Sequence, residues 1–155
     1  MREIRKKVFK AFRDDSTSVL KLAFLKDTNP DLFKPYKFIK LSRDIEECLK
    51  LIHDNFKIIK DAFIILSCEN RCYPNIDENF FAQFCIENGI IDKLFTAKDL
   101  SKIFVETNFE YVEDADDMNP DDLLNRSEFL EIFMRIAVYK NNATIRKNVE
   151  DQIDV

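Results

Sequence analysis

Between Asp117 and Glu128, oxygen-bearing side chains recur at alternate positions: Asp117, Asn119 and Asp121, then Asn125 and Glu128, with the Leu123 carbonyl between them. Numbered 1, 3, 5, 7, 9 and 12 in a twelve-residue loop, these groups supply the oxygen contacts that a hard divalent cation takes, and their charge suits one calcium ion. The residues between them pull the other way. Position 6 needs a sharp turn and holds Asp122 rather than glycine, and Pro120 biases Asn119 toward extended geometry. The same letters also spell a helix start that needs no cofactor: Asn119 as cap, Pro120 at the first helical position, and Asp121 and Asp122 facing the positive helix end. The sequence leaves both readings open.

Other chemistry is thinly represented. Cys68 and Cys72 are four apart, and with Cys48, Cys85 or His53 they contain zinc-ligand types, but paired CxxC knuckles are missing and reduced thiols are the simpler expectation. One histidine, no glycine-rich phosphate loop and no nucleophile elbow argue against an enzyme. Glu128 and Glu131 lie three apart on a helix, a spacing expected of a solvated face.

The elements that must position these residues are helical. A single glycine and four prolines in 155 residues leave few cheap hairpin turns, while 15 Phe supply bulky anchors for helix packing. An all-α fold is therefore predicted, with one core. The net charge of −5 argues against general nucleic-acid affinity. That charge is polarised: Arg2, Arg5, Lys6, Lys7, Lys10 and Arg13 crowd the start, and Glu110, Glu113, Asp114, Asp116, Asp117, Asp121 and Asp122 crowd a later stretch. No apolar run approaches the length of a membrane span, and the start lacks a signal-peptide pattern, so a cytoplasmic location is expected.

Apolar spacing predicts a basic amphipathic helix over 2–13 and a second helix over 19–25 that Asn29-Pro30 ends, followed by an extended connector from Lys34 to Leu41. Ser42 is the expected cap of a long helix on which Ile45, Leu49, Ile52, Phe56, Ile59, Phe63 and Leu66 share one stripe. Asp77 should cap the next helix, with Gly89 just past its end. Thr96 and Asp99 form a capping box for a third. A fourth carries Phe129, Ile132, Phe133, Ile136 and Tyr139. Residues 1–41 thus read as an N-terminal extension, 42–141 as a tandem helix-loop-helix unit, and 142–155 as a polar tail.

Each of the two loops holds an aliphatic residue, Ile76 or Leu124, a few positions before an aromatic of the exiting helix, Phe80 or Phe81 and Phe129. This arrangement resembles a divergent EF-hand pair of the calmodulin superfamily. The resemblance implies a short antiparallel pairing across the two loops at Ile76 and Leu124. Aligned on Ile76, the first loop runs from Glu69 to Phe80 with Arg71, Tyr73, Pro74 and Phe80 at positions 3, 5, 6 and 12, where a calcium site needs oxygen or a turn. The stretch from Asn108 through Lys140 is similar to EF-hand-like modules of protist ciliary and flagellar proteins. What this implies is a non-catalytic interaction module in the cytoplasm, a cilium, a flagellum or the cytoskeleton, docking a helix or filament as its protein partner. A calcium sensor with one working loop, Asp117 to Glu128, is the alternative.

Overall fold

The computed structural model describes residues 18–31, 33–108 and 122–153. The expected basic helix over 2–13, most of the acidic stretch, and Asp117, Asn119 and Asp121 fall outside these residues.

Within them the chain is all-α apart from two very short strands. The order is α1 (Ser18–Asp27), a single 3-10 turn (Pro35–Lys37), α2 (Ser42–Glu69), β1 (Ile76–Asp77), α3 (Glu78–Glu87), α4 (Ala97–Asn108), β2 (Leu123–Leu124) and α5 (Arg126–Ile153). Helix α1 stops before Pro30, and Thr28 turns its hydroxyl back onto the Phe24 carbonyl at 2.8 Å. The connector is less extended than expected, because Pro35 presets the φ of a tight turn and its carbonyl accepts the Phe38 and Ile39 amides.

Helix α2 buries the stripe read from its sequence. Ile45, Leu49, Ile52, Phe56 and Phe63 are all buried. Its cap differs from expectation. Leu41, with extended φ and ψ, is the N-cap, and Ser42 is already helical; the Ile45 amide bonds the Leu41 carbonyl and no side chain caps the end. Three other termini follow their sequence signals. The Asp77 carboxylate accepts the Phe80 amide at 2.8 Å. Gly89 adopts φ +66 after α3, a conformation that favours glycine, and Ile90 bonds back to Cys85 across the turn. Thr96 and Asp99 exchange main-chain and side-chain bonds before α4.

The core has two adjoining parts. Phe24, Phe33 and Ile39 of the N-terminal segment pack with Ile45, Leu49, Ile52 and Phe56 of α2 and with Leu130 and Met134 of α5. Phe63, Ile76, Phe81, Cys85, Phe95, Leu100, Phe104, Leu124, Phe129 and Ile132 make the second part, with Ile59 touching both. Phe129 anchors it, with ring centroids 4.9 Å from Phe133, 5.2 Å from Phe63 and 6.1 Å from Phe81, all edge-on. The buried rings of Phe63, Phe81 and Phe129 each contribute roughly 1.5–3 kcal/mol through burial, and edge-to-face pairing adds to it. Helix α5 is a wall of both parts. It also runs without a break through residue 142, so the expected polar tail continues the helix, exposed from Thr144 to Asn148.

Candidate functional site

The two loops meet back to back. β1 and β2 pair antiparallel with Ile76 opposite Leu124 and Asp77 opposite Leu123, and both Ile76 and Leu124 are fully buried. The residue just after each paired aliphatic caps the helix leaving its loop. Asp77 receives the amide of Phe80 at 2.8 Å, and Asn125 Oδ1 receives the amide of Glu128 at 3.0 Å. The two loops therefore share one capping bond, from the position-12 amide to the position-9 side chain of the twelve-residue register.

Loop 1 closes on its own side chains. Asn70 donates from Nδ2 to the Asp77 carboxylate at 2.6 Å and accepts the Asp77 amide at 2.7 Å. The Cys72 thiol points at the same carboxylate, 3.9 Å away. The Asn70 carboxamide, followed by the Phe80 and Asn79 amides, holds the Asp77 carboxyl below the usual carboxylate range. Arg71 takes a left-handed backbone at φ 60, so the chain reverses here without glycine.

Of the six candidate ligands in loop 2, Leu123, Asn125 and Glu128 are described, and two of them are brought together. Glu128 Oε2 accepts the Asn125 amide at 2.8 Å, completing with Asn125 a reciprocal capping box. The helix start expected at Asn119-Pro120 is corrected: Asp122 lies in a turn, Leu123 and Leu124 are in β2, and α5 begins only at Arg126. Pairing with β1 claims the backbone that an earlier start would have coiled. The solvated face expected for Glu128 and Glu131 is also corrected. They are 7% and 5% exposed, because α5 is buried all round from Ser127 to Ile132, where it packs between the two core parts.

Among the described residues, no three His, Cys, Asp or Glu side chains are grouped to hold a metal. Cys85 is fully buried, and burial pushes its thiol up to about 12, whereas Cys68 is exposed. His53 packs edge-on against Phe24 and bonds Asp54 at 2.9 Å.

Three groups on α5 that sequence reading missed hold the N-terminal segment. Arg126 makes a two-point contact with Asp27, Nη2 to Oδ1 at 2.9 Å and Nε to Oδ2, although Asp27 is only 3% exposed. Glu131 accepts the Lys34 amide at 3.3 Å and binds Arg135 at 2.9 Å. The Arg135 guanidinium lies 4.5 Å from the centroid of Phe38. Nothing in the local sequence links Asp27 to Arg126, because the pair spans 99 positions.

A second missed feature is on the outer face of α2. Leu51, Ile58 and Ile65 stand one heptad apart and are 65%, 71% and 57% exposed. Their spacing was visible in the sequence but hidden beside the stronger buried stripe. No helix among the described residues is long and apolar enough to cross a membrane. No family model, no curated protein and no solved structure matches the chain.

Proposed function

We propose that the chain is a non-catalytic, EF-hand-like interaction module that docks a helix or filament of a cytoskeletal assembly. The observation that carries the reading is the Ile76–Leu124 pairing between two helix-loop-helix units whose exiting helices are capped at the same register position. Among the described residues, Asn70 and Asp77 close the first loop, and Asn125 and Glu128 cap α5 at the end of the second. The docking face is the row Leu51, Ile58 and Ile65, whose seven-residue spacing matches a helix lying alongside α2. Lys50, Lys57, Asp54 and Asp61 flank the row and favour an amphipathic partner helix with both signs of charge at its margins. The cytoskeletal setting rests on the resemblance to ciliary and flagellar modules.

Two measurements test this. A photo-crosslinker placed at position 58 of the full chain should capture one helical or filamentous protein from a cytoskeletal extract, and Ile58→Glu should abolish binding of that purified partner without unfolding the chain. A partner that binds Ile58→Glu as well as the unchanged protein removes α2 as the docking face. Calorimetry with calcium decides between scaffold and sensor. Glutamine keeps the capping box, so Glu128→Gln removes a charged ligand at little structural cost. No heat at millimolar calcium is expected; a saturable heat that Glu128→Gln loses would replace the scaffold with a sensor.

A further inference from the structure

The groove between the first half of α2 and α5 is already filled. Phe24, Phe33 and Ile39 enter it, where they meet Ile45, Leu49, Ile52, Phe56, Leu130 and Met134. Polar groups at the groove's edge read the segment that fills it: Arg126 holds Asp27, Glu131 holds the Lys34 amide, and Arg135 covers Phe38. We infer that this groove is a peptide-recognition site whose resident ligand is the chain's own segment 18–39, and that the ligand it selects is an aromatic–acidic segment carrying the Phe24-to-Asp27 spacing.

The segment has the character of a bound peptide rather than of a structural element. The backbone–backbone bonds described for residues 28–39 are all local, such as Phe33 to Asn29 and Ile39 to Pro35, so no strand or helix ladder welds it to α2 or α5. α1 spans 10 residues, too short to be helical by itself in water, and owes its shape to the groove. Its apolar anchors belong to one core part, whereas the paired loops, α3 and α4 belong to the other. Losing the segment therefore leaves the second part with its own contacts. Specificity lies in Asp27. A carboxylate buried to this degree is tolerated only where a fork of donors meets it, and removing either partner strands a buried charge. A segment with Asn in place of Asp27 would fit the groove in shape but lose the two-point ionic contact with Arg126. The groove is distinct from the outer face of α2, so what fills it does not depend on whether that face docks a partner.

A fluorescent peptide of residues 18–40, titrated into the full chain, tests it. In the unchanged protein the tethered segment competes at an effective concentration of the order of millimolar, so binding of the peptide is weak. In a full chain carrying Phe24→Ala and Asp27→Asn the tethered copy is handicapped, and the unchanged peptide should bind at least about ten-fold more tightly. A peptide with Asp27→Asn should lose most of that gain, and adding Arg126→Ala to the chain should erase the difference between the two peptides. Equal binding by the unchanged and the handicapped chain overturns the inference. Hydrogen exchange on the unchanged protein gives a result independent of any variant's folding. Amides of residues 20–39 should exchange at least about ten-fold faster than those of Phe81 to Cys85 and Leu100 to Phe104. Exchange of all these segments in a single common opening contradicts a separable ligand.

Discussion

Asn125 and Glu128 each satisfy the other's backbone, and a 7% exposed glutamate is held there by that exchange. Asn125→Ala removes the acceptor for the Glu128 amide and should lower stability by about 1 kcal/mol in urea unfolding, the usual cost of losing an N-cap. Asp99 makes a different residue-scale statement. The Thr96 hydroxyl, then the Tyr139 hydroxyl at 2.6 Å, hold its carboxyl down to about 2 from 3.8. A carboxyl whose folded pKa is depressed adds stability that is present above about pH 4 and lost as the pH falls toward 2. Thermal unfolding followed from pH 5 to pH 2 should therefore decline less steeply in Asp99→Asn than in the unchanged chain. Asp27 has the opposite sign. Burial raises its carboxyl despite Arg126, so protonation at low pH does not by itself work against the folded state. Residue roles of this kind were only partly legible. The Thr96–Asp99 box could be read from a three-residue spacing, but the Asp27–Arg126 pair depends on tertiary packing.

At the scale of elements, several helix ends were readable from a capping side chain or a glycine at the boundary, whereas the starts of α2 and α5 were misread. Asp77, Gly89, Thr96 and Asp99 gave their ends away. Leu41 did not, since nothing in a leucine signals a cap, and Ser42 beside it was the better letter. The cap expected at Asn119 is supplied by Asn125 and α5 begins at Arg126, because strand pairing with Ile76 and Asp77 outranks a local helix signal, a preference that a single-chain pattern cannot express. Asp77 serves two elements at once, capping α3 and closing loop 1 through Asn70. Asp77→Ala should thus cost more than an isolated cap, about 2 kcal/mol in denaturant unfolding, and Asp77→Asn should recover part of it. An equal effect of both substitutions would locate the stabilisation in the carboxylate charge rather than in the cap.

Across the whole molecule, the α2 stripe was legible as one continuous face, but its division between two core parts was not, because periodicity tells which side of a helix is buried and not against what. The expectation of a single core becomes two adjoining parts with α2 and α5 as common walls. Cavities on either side should therefore reach the same cooperative transition. Leu49→Ala in the first part and Leu100→Ala in the second should each lower stability by roughly 2–5 kcal/mol, with circular dichroism and tyrosine fluorescence midpoints that coincide within each variant. Separate midpoints would mean that the walls are not shared in energy.

Helix α5 has a fixed point and a free length. Its first turn is bonded to Asp27 and Asn125, with Ser127 to Phe129 buried, while from Thr144 to Asn148 it stands in solvent. Among the described residues Lys140 is the last one held, by the Ile90 carbonyl and Asp92, so at 1.5 Å per residue the 13 residues from Asn141 to Ile153 measure about 20 Å. The helix that closes both halves of the interior thus also reaches past them, carrying its last turns beyond the packed part of the molecule.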